Sequence, residues 1–157
     1  MSVVRAAPLV ALALVTLSCA EPAYAPYGPV YPYAVVPPPA AYWGLSGPAA
    51  AARAVAFAQA SIGTPYCWGG SGPRCYDCSG LTRAAWASAG ISIPRTSTAQ
   101  LGALRPVPIE QVQPGDILWR PGHVGIYAGQ GWVIAATHRG DVVRYQSASG
   151  FQRAVRP

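Results

Sequence analysis

An α+β architecture with an antiparallel sheet is expected of this chain, and three observations carry the expectation. Helical signals come first along the folded part. Short β-rich segments follow them, and glycine or turn residues divide those segments from one another. The run "AAAARAVAFAQASIG" (residues 49–63) reads as the first helix, because alanine favours helix and Val55, Ala58 and Ile62 fall on one face. Gly63, Thr64 and Pro65 stop it. A second helix should follow "CYDCSGLTRAAW" (residues 75–86), since Cys78, Leu81, Ala85 and Ala89 recur at helical spacing and Gly90 ends the pattern. "GDILWR", "HVGIYAG", "GWVIAAT" and "GDVVRYQ" then read as strands.

The 157 residues allow one modest domain. The chain carries eleven Arg, no Lys and five acids. Its first twenty residues read as a signal peptide: Arg5 supplies a positive start, and "AAPLVALALVTL" (residues 6–17) is apolar but too short to span a bilayer. Ser18 and Ala20 form a small-x-small cleavage site before Glu21. "AYA" at residues 23–25 is a second site, hindered by Pro26. "TLSC" also resembles a lipoprotein box, so a membrane tether through Cys19 stays open, as does a retained anchor. The expected location is secreted or at the cell envelope. Cleavage after Ala20 leaves ten Arg against five acids, a charge of +5, which suits a polyanionic wall or membrane surface. With no Lys/Arg-rich block among aromatics, nucleic acid is not an expected partner.

Residues 21–48 hold eight of the seventeen Pro and five of the nine Tyr. Neither helix nor ladder can run through so much proline, so this span reads as an extended or disordered linker. The folded domain is expected over residues 49–157, as a monomer.

Chemistry concentrates at residues 75–86. Asp77 is a good N-cap, able to accept an amide hydrogen from Ser79 or Gly80. Cys78 then occupies the first turn, where the positive end of the helix should favour its thiolate and lower its pKa. Gly80 lets the turn press against another backbone. Further on, a strand over residues 123–128 puts His123, Gly125 and Tyr127 on one face. Gly129, Gln130 and Gly131 read as a three-residue hairpin loop that pairs Ala128 with Trp132. Gly125 clears room beside His123, where a helix start bearing Cys78 would fit. Taken alone, Cys78 reads first as a buried thiol and His123 as a histidine satisfied by a carbonyl.

Together the motifs "GTPYCWGG", "YDCSGL", "PRTSTAQ", "QPGDILW" and "HVGIYAGQG" resemble, in order and spacing, the NlpC/P60 cell-wall peptidases over about residues 50–145. The resemblance implies a papain-like fold, its nucleophile's helix packed on the sheet that carries the base. It implies cleavage of peptidoglycan stem peptides, typically between D-γ-glutamyl and a diamino acid, without cofactor or metal. Cys78 matches the family nucleophile and His123 its base. Tyr66, Asp77 and Ser79 match the residues that line the L-Ala–D-Glu end of the substrate.

One departure stands out. Many members carry a polar residue twelve positions after the base, and here that position is Ala135. Water or a backbone carbonyl is the first candidate to orient His123, with Thr137, placed across the hairpin, and His138 behind it. Cys67 and Cys75, seven intervening residues apart, are expected to form a disulfide beside the nucleophile. Rival readings of the same atoms are a C-x-x-C redox pair (Cys75, Cys78) and a zinc site from Cys67, Cys75, Cys78 and His123. Arg95 and Gln100 read as polar lining of the cleft edge or as loop packing, Asp116 as a turn cap. Trp68, Trp86, Trp119 and Trp132 read as core or rim. The functional expectation is a peptidoglycan endopeptidase acting through a Cys thioester. A non-catalytic wall-binding module and a related cysteine amidase or acyltransferase are the alternatives.

Overall fold

The computed structural model describes residues 47–157. The expected signal peptide, Cys19 and nearly all of the proline-rich linker lie outside the described residues. Helix α1 (Pro48–Ala60) starts with proline in its first turn, where the missing N–H costs nothing. It buries Ala50, Ala54, Val55 and Ala58. The predicted face thus holds at Val55 and Ala58, but Ile62 lies beyond the last turn and is exposed. Helix α2 (Cys78–Ser88) buries Leu81, Ala85 and Trp86, and Ala89 at its C-cap is buried behind them. Gly90 follows at φ +82°, the left-handed conformation that ends the helix at little steric cost. Arg53 of α1 donates to the Ser88 carbonyl and ties the two helices together. A third helix that periodicity did not reveal, α3 (Ser97–Ala103), is capped by the Thr96 hydroxyl, which accepts from Ala99 N at 3.3 Å.

Six strands follow: β1 (Arg105–Val107), β2 (Ile117–Arg120), β3 (His123–Gly129), β4 (Trp132–Ala135), β5 (Arg144–Ser147) and β6 (Arg153–Arg156). They form one antiparallel sheet in the order β1-β6-β2-β3-β4-β5. The α+β expectation therefore holds, with the short outer β1 and the C-terminal β6 unforeseen. Gln130 and Gly131 both take positive φ, 52° and 78°, so the hairpin closes through two residues and pairs Gly129 with Trp132. Ala128 is left in a bulge rather than opposite Trp132. Deeper in the ladder Ile126 pairs with Ile134 and Tyr127 with Val133, the register expected from the sequence.

Strand alternation splits the core in two. Ile117, Val124, Ile126, Ile134 and Val155 face α1 and α2 and meet Ala54, Leu81, Ala85 and Trp86. Each Leu or Ile so buried contributes about 1.5–3 kcal/mol. Leu118, Val133, Ala135, Phe151 and Ala154 pack on the other face. Asp116 caps the turn before β2 as expected, accepting from Gln113 N at 2.7 Å, and also pairs with Arg156 of β6 at 2.6 Å. Trp86 is core, whereas Trp68 departs from expectation, standing 85% exposed on the loop before α2.

Candidate active site

The front of α2 is built from its sequence outward. Asp77 sits in extended backbone at the N-cap, and its Oδ1 accepts from Gly80 N at 2.6 Å. This satisfies an amide that the helix cannot. Gly80 faces the Gly70 carbonyl so closely that a Cβ there would lie 1.9 Å from the oxygen. That contact seats α2 against the loop over residues 67–75, which the Cys67–Cys75 disulfide closes with Cα atoms 5.6 Å apart. Cys75 is thus bonded to Cys67 and not to Cys78, which argues against both the C-x-x-C pair and the four-residue zinc set. Cys78 is the free cysteine among the described residues.

The Cys78 thiol lies against the first peptide of β3. The amides of Val124, Ser79 and Cys78 act on it as donors that favour the thiolate. Burial is the larger influence and pushes the thiol's pKa up, with Asp77 adding to it. The lowered pKa expected of a helix start is therefore not what the structure gives: removal from water outweighs the helix end.

His123 opens β3 and is buried. Its side chain leaves the strand on the face opposite Val124, toward Phe151, whose ring centroid is 5.8 Å away. Thiol and imidazole therefore flank the same short piece of β3, the thiol at the Val124 amide and the ring on the preceding residue. No hydrogen bond joins them in this state; such contacts commonly tighten only with substrate bound. The room at Gly125 is not taken by Cys78. A Cβ there would lie 2.3 Å from Val133 Cγ1 and 2.9 Å from the Ala135 methyl, so the glycine serves strand packing within the sheet. Burial, and then the Arg120 charge, lower the imidazole pKa to about 4.

What holds the ring is a residue the sequence reading missed. Gln146 of β5 places its carboxamide Nε2 2.9 Å from His123 Nε2. Neither proposed side chain does this. Thr137 Oγ1 is buried without a partner, and His138 is exposed, with Nδ1 3.0 Å from the Arg139 carbonyl oxygen. Alternation along "VVRYQ" puts Arg144 and Gln146 on one face, a signal that the segment carries polar groups inward or outward together. Only the β4–β5 register, with Gln146 opposite Val133, brings Gln146 toward β3.

The other expected residues gather around the thiol. Tyr66 feels the Cys78 and Asp77 charges, and its hydroxyl pKa is raised, first by burial. Ser79 and Asp77 are buried side by side, the Ser79 hydroxyl donating to Asp77 Oδ1 at 3.3 Å. Arg95 clamps both: it donates to Asp77 Oδ1 at 3.0 Å, to Asp77 Oδ2 at 2.6 Å and to Ser79 Oγ at 3.0 Å. Asp77 is thus both helix cap and half of a two-pronged ion pair. Of the two readings for Gln100, cleft lining and loop packing, the second holds: the side chain is fully buried. It accepts from Thr82 Oγ1 at 2.9 Å and donates to the Ser79 and Pro94 carbonyls, joining α3 to α2.

Comparison with known proteins places the chain in a family. The family model described as "NlpC/P60 family" matches residues 63–155. The "Probable endopeptidase p60" of Listeria monocytogenes is 43% identical over 101 residues, covering 61% of this chain and 20% of that protein. A "Probable endopeptidase" of Corynebacterium glutamicum is 46% identical over 107 residues, covering 66% and 51% respectively. The chain therefore spans from a fifth to about half of the length of these relatives. Among solved structures, the NlpC/p60 domain of the peptidoglycan hydrolase SagA aligns with TM-score 0.63 at 36% identity, covering 68% of this chain and 98% of that one. The peptidoglycan hydrolase RipB from Mycobacterium tuberculosis aligns with TM-score 0.63 at 29% identity, covering 73% of each. A helix-capped cysteine, a histidine at the head of the neighbouring strand and a matching sequence model over most of the folded part together make this chain a member of the NlpC/P60 family.

Proposed function

We propose that this domain is a cysteine peptidase of the cell envelope that hydrolyses peptidoglycan stem peptides, at the amide between D-γ-glutamyl and a diamino acid. The observation that carries the reading is the Cys78 thiol resting on backbone amides at the front of α2, next to His123 on β3. Family membership and the endopeptidase and peptidoglycan-hydrolase names of its relatives support it. In the proposed reaction the neutral imidazole takes the thiol proton as sulfur attacks the scissile carbonyl. Amides at the helix start stabilise the oxyanion. The imidazolium then protonates the departing amine and leaves a thioester, which water hydrolyses to regenerate the thiol. Tyr66, Ser79 and the Asp77–Arg95 pair bound the side of the site that would receive the L-Ala–D-Glu end. Export by residues 1–20, a spacer over residues 21–48 and action as a monomer belong to the same proposal.

The test is digestion of defined muropeptides, with the products weighed by mass spectrometry. Cys78→Ala should abolish cleavage while the circular dichroism spectrum and melting temperature stay near wild type. Undiminished turnover by that variant would refute the assignment of the nucleophile.

A further inference from the structure

His123 Nε2 has a partner that its family pattern does not supply. The position twelve residues after the base holds Ala135, which offers only a methyl group. Ala135 pairs with Arg144 on β5, and Gln146, two residues on, pairs with Val133. To reach the ring, the Gln146 side chain must cross β4, since β4 lies between β5 and β3. A bulky side chain at 135 would stand in that path, on the same face as Gly125 and Val133. The small residue at 135 and the long carboxamide at 146 are therefore two parts of one arrangement. We propose that Gln146 is the positioning residue for His123, holding the imidazole through Nε2 so that Nδ1, the nitrogen nearer the main chain, is left for the thiol. The proposal rests on the peptidase reading for its consequence in catalysis, but the contact itself can be tested without it.

The carboxamide can present either end to the ring. With its nitrogen inward, an N–H donates to the Nε2 lone pair and the ring proton sits on Nδ1. With its oxygen inward, Oε1 accepts from Nε2–H and Nδ1 keeps a free lone pair. Only the second state can take a proton from Cys78. The same oxygen then accepts from the Nε2–H of the imidazolium, so one group serves the ring before and after proton transfer. A glutamine does this without adding charge to a buried site. Arg120 of β2 is the charge that acts on the ring. Cys78 is the titratable group on the other side of the β3 peptide, and Phe151 covers the imidazole.

The decisive experiment follows the His123 ring nitrogens by 15N NMR across a pH titration in wild type, Gln146→Leu and Gln146→Glu, alongside muropeptide kinetics. Gln146→Leu should mix the two tautomers and lower kcat by about 10- to 100-fold with little change in KM. Gln146→Glu, which can only accept, should fix the Nε2–H tautomer and raise the imidazole pKa by about one unit or more, moving the acid limb of kcat/KM with it. If tautomer and imidazole pKa are the same in all three proteins, the proposal fails, whatever happens to kcat. A loss of kcat without those changes would make Gln146 a purely structural residue and also overturn it. Should Gln146→Leu not fold, Gln146→Glu decides by its pKa alone. If the wild type cleaves no muropeptide, the peptidase reading falls, while the NMR arm still tests the contact.

Discussion

Acidification should remove a portion of stability that belongs to one side chain. His123 is 6% exposed, and burial together with Arg120 lowers its pKa from 6.5 to about 4. In the unfolded chain the same ring titrates near 6.5. Between those values the unfolded state binds a proton that the native state refuses. Stability therefore falls as pH drops through 6.5 and levels off below about 4. Each tenfold preference of the proton for the unfolded state costs roughly 1.4 kcal/mol, so relative to pH 8 the penalty at pH 4.5 is about 2–3 kcal/mol. That is a large share of the roughly 5–15 kcal/mol that holds a domain folded. The assay is urea unfolding followed by tryptophan fluorescence at both pH values, in wild type and in His123→Gln. Protonation of the acidic side chains weakens both proteins alike and cancels in the comparison. The variant should lose about 2–3 kcal/mol less than wild type on acidification. Equal losses would show that His123 titrates as it does in water, and the burial argument would be wrong.

Two further outcomes follow from the front of α2. Gly80→Ala puts a methyl 1.9 Å from the Gly70 carbonyl oxygen, so the loop must move; about 1–3 kcal/mol of destabilisation is expected, read as a lowered melting temperature. A wild-type melt would mean that the close approach is easily relieved. Reducing the Cys67–Cys75 disulfide, or replacing both residues with Ser, should cost at most about 2.5 kcal/mol, because the loop it closes is short. It should also raise KM for muropeptides, since the loop carries the chain from Tyr66 to Asp77; an unchanged KM would show that the loop holds its shape unaided.

Much of this fold is legible in the sequence because local chemistry and tertiary packing agree. Asp77 caps α2, Gly80 meets a backbone, and Gly90 ends the helix, each for a reason visible in three or four residues. Where structure and expectation part, the deciding contact is remote in sequence. Gln100 stays open in the sequence between cleft lining and loop packing, and it is buried because Thr82, Ser79 and Pro94 converge on it. Gln146 meets His123 across 23 positions and an intervening strand. The hairpin loop is one residue shorter than expected because Gln130, a residue with a Cβ, takes a left-handed conformation more usual for glycine. The resemblance to a family supplies the roles proposed for Cys78 and His123, which neither residue's local setting could give.

The electrostatics of the site bear on how such a dyad would operate. A helix start stabilises a nearby negative charge by only about 0.3–1 kcal/mol, or about 2 in favourable geometry. Burial opposes that at Cys78 and prevails, and it pushes the His123 pKa the other way, down to about 4. Both effects disfavour a standing thiolate–imidazolium pair and favour a neutral thiol and a neutral ring. In the proposed reaction the proton would then move as the carbon–sulfur bond forms, with His123 as general base in the attack itself. Under that regime the amides of Cys78, Ser79 and Val124 have little resting charge to stabilise. Any of them that also reaches the carbonyl oxygen of a bound substrate would act mainly on charge developing in the transition state, where a preorganised donor lowers the barrier most.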